Sequence, residues 1–202
     1  MRDLEIRGAG NIFGPEQSGQ VATVGYDMYV KMIEEAIREA QGDPAALRQS
    51  ELETRVDLQV NAFLPEYYVR GEAQRIEIYK RISMIRSRDD ESELIADLID
   101  RFGEPEEPVM NLIAIARLRA LANTLGADQV RYNRDALILR FDPQFAVDPV
   151  RLYLALSRIG KGMSLQAGKR TRLLIHLRGE SQEEILRKGI PELENLLEII
   201  EK

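Results

Sequence analysis

A change in hydrophobic period near residue 51 restricts the folds open to this 202-residue chain. Residues 51–62, ELETRVDLQVNA, alternate strictly between apolar and polar side chains, which predicts a half-buried strand that ends at Leu64-Pro65. Stretches with apolar residues at three- and four-residue spacing follow, and they predict helices over 72–86, 91–102 and 105–126. A strand followed by consecutive helices is not the start of a βαβ repeat.

The last third of the chain mixes both periods. The pattern predicts two hairpins, one over 129–141 that turns at 133–135, and one over 163–177 that turns around Gly168-Lys169. A helix over 148–160 lies between them, and a further helix ends the sequence. Because strands and helices are interspersed without a βαβ rhythm, the predicted fold class is α+β, with helices packed on short antiparallel strands.

Local signals mark several helix ends. Asp90 with Glu93 resembles a capping box for the second helix, and Gly103 suits the position just after its end. Ser181 with Glu184 resembles a capping box for the terminal helix, and Pro191 is expected to interrupt that helix.

The first 25 residues form a glycine-rich polar leader without apolar periodicity. We expect this leader to be the tail of a larger domain whose main body lies outside the sequence. Residues 27–41 then show one apolar stripe at helical spacing, and a polar linker follows over 42–50.

Composition removes several function classes. The formal net charge of -6 argues against a nucleic-acid binder steered by overall charge, and the absence of cysteine excludes thiolate catalysis and cysteine zinc sites. The start of the chain is charged rather than apolar, and no apolar run approaches the roughly 18 residues that span a bilayer. We therefore expect a soluble cytoplasmic chain with no membrane contact.

The search for reactive groups finds no self-contained active site. The glycines of GAGNIFG do not follow a strand or match a phosphate-binding spacing, so a plain loop is the better interpretation. His176 is the only histidine, and no ligand partners accompany it at metal-binding spacing, which predicts a surface residue and no metal site.

Two charged clusters remain open to interpretation. A basic cluster on the second hairpin either protects an edge strand or contacts phosphates: Lys161, Lys169, Arg170, Arg172 and Arg178. Glu93, Asp97 and Asp100 share one side of the second helix, either as a solvated face or as an acidic patch that binds a basic partner surface.

A long motif near the start is RDLEIRGAGNIFGPEQSG, which continues into VGYDMYVKMIEEAI. It resembles the motif that closes the motor of two families of bacterial DNA translocases, the transcription-repair coupling factors and the RecG branch-migration helicases. Two later segments, LPEYYVRGEAQRIEIYKRIS and LIDRFGEPEEPVMNLIAIARLRALANTLG, resemble the C-terminal domain of the coupling factors, which RecG lacks. The resemblance covers nearly the whole chain and is weakest beyond about Gly126.

The resemblance implies a division into three parts. Residues 1–24 would be the translocation-motif loop at the tail of the second RecA-like motor lobe, 25–50 a connecting helix and linker, and 51–202 the C-terminal regulatory domain. Within the motif, the positions that match its functional residues are Arg7 and Gln17, preceded by Asp3 and Glu5. In the family this motif relays ATP-driven lobe closure to movement along duplex DNA.

The resemblance also implies partners for the C-terminal domain. In the family this domain docks on the N-terminal UvrB-like module of the same factor and masks the surface that recruits UvrA, until the factor engages stalled RNA polymerase. The acidic contact positions of the family correspond to Asp97 and Asp100.

This chain has no GxxxxGK[ST] loop and no upstream helicase motif, so ATP and Mg²⁺ are expected in the parent motor and no cofactor in this chain. The alternatives are a stand-alone protein-interaction domain with a vestigial motor tail, and a fragment of a RecG-like helicase.

Overall fold

The structure is a computed structural model that describes residues 54–133, 136–142, 147–160, 162–179 and 181–201. The described strands are β1 (Arg55–Asp57), β2 (Ala127–Asn133), β3 (Ala136–Phe141), β4 (Met163–Gln166) and β5 (Arg172–Ile175). The described helices are α1 (Glu72–Ser83), α2 (Arg88–Phe102), α3 (Glu107–Thr124), α4 (Pro149–Ile159) and α5 (Gln182–Glu201).

The strands form one mixed five-stranded sheet in the order β1-β2-β3-β5-β4. β1 runs parallel to β2, and the other neighbouring pairs are antiparallel. The two predicted hairpins, β2-β3 and β4-β5, are both present, and the α+β fold class is confirmed. β5 lies between β3 and β4, so the interpretation of the basic cluster as protection of an edge strand is wrong for Arg172.

The first predicted strand is much shorter than its sequence pattern. Only residues 55–57 pair in the sheet, yet alternate side chains stay buried as far as Leu64. Beyond β1 the chain is tethered to α5 and α3, since Gln59 N donates to Gln182 Oε1 at 2.7 Å and Asn111 Nδ2 donates to the Asn61 carbonyl at 3.1 Å. The alternation therefore reports burial of every second side chain, and sheet pairing covers only its start.

Two hydrophobic clusters share α3. The first packs the inner face of the sheet against α3, α4 and α5, with Phe141, Leu118 and Leu193 among its members. The second packs α1, α2 and α3 around the extended segment after β1, with Leu64 and Leu98 among its members. Since α3 contributes to both clusters, it is buried on nearly all sides.

The start of α2 differs from the prediction by three residues. Ser87 is the N-cap: its Oγ accepts from Asp90 N at 3.1 Å, while the Asp90 carboxylate accepts from Ser87 N at 2.8 Å. The predicted pairing of Asp90 with Glu93 is wrong because Asp90 already occupies the third position of the helix. At the other end Gly103 adopts φ +85°, where glycine is favoured, as predicted.

The terminal helix begins as predicted, with Ser181 Oγ accepting from Glu184 N at 3.2 Å. The predicted interruption at Pro191 is wrong, because α5 runs unbroken through this residue. The reason is tertiary packing, since Ile185 and Leu186 before the proline and Leu193 and Leu196 after it are all fully buried in the first cluster.

Candidate protein-interaction surface

The predicted translocation residues Asp3, Glu5, Arg7 and Gln17 lie outside the described residues. The predicted helix over 27–41 and the linker over 42–50 also lie outside them. The structure therefore bears on the second predicted site, the acidic side of α2.

α2 has a buried side and an acidic side. Leu94 and Leu98 are buried in the second hydrophobic cluster, which fixes the rotation of the helix. Glu93, Asp97 and Asp100 follow one another at four- and three-residue spacing on the side away from these leucines. We call this the acidic surface of α2. Ile99 is 40% exposed, but it lies on another side of the helix, because residues one or two positions apart do not face each other.

Asp97 is not the freely solvated acid that the sequence suggested. Its Oδ2 accepts hydrogen bonds from Arg81 Nη1 on α1 and from Arg101 Nη1, the latter at 3.2 Å. All three side chains are about one third exposed. Asp97 therefore ties α1 to α2, and its other oxygen, Oδ1, is the one left to accept from a further donor.

The two arginines also control the protonation of Asp97. The hydrogen bond from Arg81, and then that from Arg101, hold the pKa of the Asp97 carboxyl below its ordinary value of 3.8. Because the folded-state pKa is lowered, the stabilisation is present above about pH 3.8 and is lost as the pH falls through the lowered value. Asp97 is thus an ionised acceptor at neutral pH.

Glu93 and Asp100 differ from Asp97. Both side chains are exposed, and among the described residues no lysine or arginine lies within salt-bridge distance of either carboxylate. Their negative charge is consequently less compensated than that of Asp97. Of the two acids that the resemblance singled out, Asp100 has the more exposed carboxylate, whereas Asp97 also links α1 to α2.

The end of α2 is held in place by aromatic contacts. The rings of Tyr68 and Phe102 lie 5.9 Å apart between centroids, and Tyr68 Oη donates to the Gly103 carbonyl at 2.8 Å. The Arg101 guanidinium lies 5.0 Å from the centre of the Phe102 ring, a cation–π contact. Arg101 is therefore held on two sides, which orients the donor that it offers to Asp97.

Sequence reasoning missed a buried arginine on α3. Arg117 is 7% exposed; its Nη2 donates to Glu194 on α5 at 2.7 Å and its Nη1 to the Arg86 carbonyl at 2.6 Å. Its Nε lies 3.9 Å from Glu91 on α2 and makes no hydrogen bond. The signal was available, since a charged residue in the middle of a helix that is apolar on nearly all sides has to be buried and paired.

The structure also describes the single histidine of the sequence. His176 is exposed, on the face opposite Leu173 and Ile175, and its Nε2 lies 2.8 Å from Ser164 Oγ. Within the described ranges, no group of three or more histidines and carboxylates is placed to hold a metal ion. No helix among the described residues is long and apolar enough to cross a membrane.

The described residues form an α+β domain with an acidic surface on α2. Residues 58–152 match the family model described as the TRCF domain. This range of the chain contains α1, α2 and α3 in full. The chain belongs to the family of bacterial transcription-repair-coupling factors. A solved structure of the C-terminal domain of a transcription-repair coupling factor superposes with a TM-score of 0.63 at 28% identity, covering 74% of this chain and 94% of that one.

Curated relatives show how much of a complete factor this chain spans. The transcription-repair-coupling factor of Bacillus subtilis is 32% identical over 202 residues, which is 98% of this chain but 17% of that protein. That of Mycobacterium tuberculosis (strain CDC 1551 / Oshkosh) is 37% identical over 162 residues, 76% of this chain and 13% of that protein. The chain thus spans less than one fifth of the length of these relatives and corresponds to the C-terminal region of the factor.

Proposed function

We propose that this chain is the regulatory C-terminal segment of a factor that couples transcription to DNA repair. In the complete factor, residues 51–202 dock through the acidic surface of α2 on the N-terminal UvrB-like module, and docking covers the surface that recruits UvrA. Engagement of stalled RNA polymerase releases the contact. The observation that carries the proposal is the state of Asp100, an exposed carboxylate without a cation partner among the described residues.

The chemistry of the acidic surface suits a reversible contact. Asp100 and Glu93 meet a partner without first giving up an internal ion pair, so forming and breaking the contact costs little beyond the hydration of the surface. Asp97 takes part through Oδ1 while Oδ2 keeps Arg81 and Arg101.

Charge reversal at Asp100 tests the docking. In the complete factor, Asp100→Lys is expected to weaken the intramolecular contact by about 1 kcal/mol and so to raise UvrA binding about fivefold. UvrA binding is measured by surface plasmon resonance at two salt concentrations, and the gain should shrink at the higher one. Glu201→Lys makes the same charge change at the exposed end of α5 and should leave UvrA binding unchanged.

An Asp100→Lys factor that binds UvrA like the parent would remove the support for docking through α2. Asp100 is preferred to Asp97 for this test because loss of Asp97 also breaks the link between α1 and α2. If both lysine variants raised UvrA binding equally, overall charge rather than the acidic surface would be responsible.

For residues 1–24 we propose the role that the resemblance implies: Arg7 and Gln17 relay lobe closure to the grip on duplex DNA, with ATP and Mg²⁺ bound by the preceding motor. A guanidinium offers a rigid fork of donors and a glutamine amide both donates and accepts, as a switchable contact between two states requires. Arg7→Ala in the complete factor is expected to abolish translocation on duplex DNA while ATP hydrolysis persists. Parallel loss of both activities would instead indicate a structural arginine.

A further inference from the structure

The outer face of the sheet carries a row of arginines that no part of the proposed function uses. Side chains alternate between the two faces of each strand, and one set, which includes Val130, Leu139 and Leu173, packs into the first hydrophobic cluster. The other set faces outward. The strand register places its members in two rows across the sheet, Arg55-Gln129-Arg140-Arg172-Gln166 and Asp57-Arg131-Ile138-Leu174-Ser164.

The cations of this face exceed its carboxylates. Its arginines are Arg55, Arg131, Arg140 and Arg172, joined by Arg170 at the turn that precedes β5. The Asp128 carboxylate is largely taken, since it accepts two hydrogen bonds from Arg140 at 2.8 Å and one from Arg170 at 2.6 Å. Asp57 binds Arg55 at 2.7 Å. The hydrogen bonds to Asp128, and then the charges of Asp128, Asp57 and Asp142, raise the pKa of Arg140.

Arg172 is the unexplained member. It lies directly opposite Arg140 on the neighbouring strand, and like charges in that position destabilise a sheet. Its side chain is exposed, and among the described residues no carboxylate lies within salt-bridge distance of it. β5 is an inner strand, so Arg172 does not serve to protect an edge. A residue that lowers the stability of the fold and makes no compensating contact is expected at a binding surface.

The centre of the face is apolar. Ile138 and Leu174 are register partners in the row next to Arg140 and Arg172, and neither belongs to the two hydrophobic clusters. Leu174 is half-buried and Ile138 is 7% exposed, so Leu174 is the accessible one of the two. An accessible leucine bordered by arginines matches a partner that presents apolar residues bordered by carboxylates.

We propose that the outer face of the sheet is a docking surface for an acidic amphipathic helix of a partner protein. The leucine or isoleucine stripe of that helix covers Leu174, beside the buried Ile138, and its carboxylates bind the guanidinium groups of Arg172 and Arg131. Nucleic acid fits this face less well. None of the outward-facing positions of the five described strands is aromatic, so there is no platform for base stacking, and the chain as a whole carries a net charge of -6.

The test uses the 202-residue chain and three fluorescent probes at physiological salt. The first is a synthetic helical peptide with a leucine stripe bordered by glutamates, the second the same stripe bordered by lysines, and the third a duplex DNA. Anisotropy titrations are expected to show saturable binding of the acidic peptide only, with amide chemical-shift changes concentrated on β3 and β5. Binding of the duplex in preference to the acidic peptide would assign the face to nucleic acid and overturn the proposal.

Variants separate docking from simple charge attraction. Arg172→Glu is expected to weaken the acidic peptide roughly tenfold, and Leu174→Ser to weaken it severalfold. Arg158→Glu, which makes the same charge change at an exposed position of α4, should have no effect. Equal losses in Arg172→Glu and Arg158→Glu, or no binding by the parent chain, would refute the proposal.

Arg172→Gln guards against a folding artefact. Because it relieves the repulsion from Arg140, its melting temperature is expected to equal or exceed that of the parent, while it still loses affinity for the acidic peptide. A lowered melting temperature would show that Arg172 supports the fold, and that result would also count against the proposal.

Discussion

Replacing Arg117 by methionine is expected to lower the free energy of unfolding by about 3 kcal/mol. The substitution keeps much of the side-chain volume but removes the donors that Glu194 and the Arg86 carbonyl use. Both acceptors are then left without their charged partner at a place where α2, α3 and α5 meet. Leaving a buried charge uncompensated costs far more than the intact pair contributes.

The exposure of the partners limits the size of this effect. The side chains of Glu91 and Glu194 are 24% and 25% exposed, so water reaches both carboxylates and softens the penalty. The unpaired Nε of Arg117 is a cost that the parent protein already carries and that methionine removes. The expected loss therefore stays near the lower end of the range for broken buried pairs, which is about 3 to 5 kcal/mol.

The pH dependence of the loss identifies its cause. Burial raises the pKa of Glu91 above its ordinary value of 4.5, and Arg117 counteracts the rise. A raised carboxyl pKa gives stability that is present below about pH 4.5 and is lost as the pH rises through the folded-state value. Without Arg117 the pKa of Glu91 rises further, so the penalty of Arg117→Met should be larger at neutral pH than near pH 4.5.

Urea denaturation followed by circular dichroism, at neutral pH and near pH 4.5, measures the loss of stability and its pH dependence. A variant that combines Arg117→Met with Glu91→Gln and Glu194→Gln is the matched control, and it should recover much of the lost stability because it leaves no charge uncompensated. If Arg117→Met alone costs less than about 1 kcal/mol, or if its penalty does not depend on pH, the arginine is not the electrostatic link between the helices.

Periodicity predicted much of the fold because each signal was local. The stripe through Leu94 and Leu98 and the alternation after residue 51 report which side chains are buried, and burial is what the sequence encodes in short windows. The pattern could not tell a paired strand from an extended segment that packs on the core. That distinction depends on whether a neighbouring strand is present, and β1 pairs with β2, which lies about 70 residues further along the chain.

The candidate site was predicted in its charges but not in its pairings. The side of α2 that carries Asp97 and Asp100 follows from helical spacing alone. The hydrogen bond from Arg81 does not, because it requires α1 and α2 to pack at one particular angle and register. The insertion of β5 between β3 and β4 is equally non-local, and it changes the meaning of Arg172 from edge protection to a candidate contact. The pairing of the charged residues therefore depends on their tertiary neighbours, whereas the burial of the apolar residues follows from their spacing in the sequence.

Replacing Pro191 by alanine is expected to raise the free energy of unfolding by about 2 kcal/mol. Proline has no backbone N–H to donate to the carbonyl of Arg187 four residues earlier, and its ring crowds that carbonyl. In a helix interior these effects cost about 3 kcal/mol relative to alanine. Proline also restricts the unfolded chain, which returns about 0.4 to 1 kcal/mol, so the net gain is smaller than the full helix penalty.

The position of Pro191 makes the substitution safe for packing. Pro191 is exposed on α5, so the smaller side chain leaves no cavity, and the buried residues on either side keep their contacts. Asn195→Ala is the matched control on the same helix, because it is also exposed and interior but gains only helix propensity, about 0.5 kcal/mol. Both are measured by urea denaturation. A Pro191→Ala variant no more stable than Asn195→Ala would mean that α5 accommodates the proline without strain, and its continuity through residue 191 would then need no support from the buried leucines.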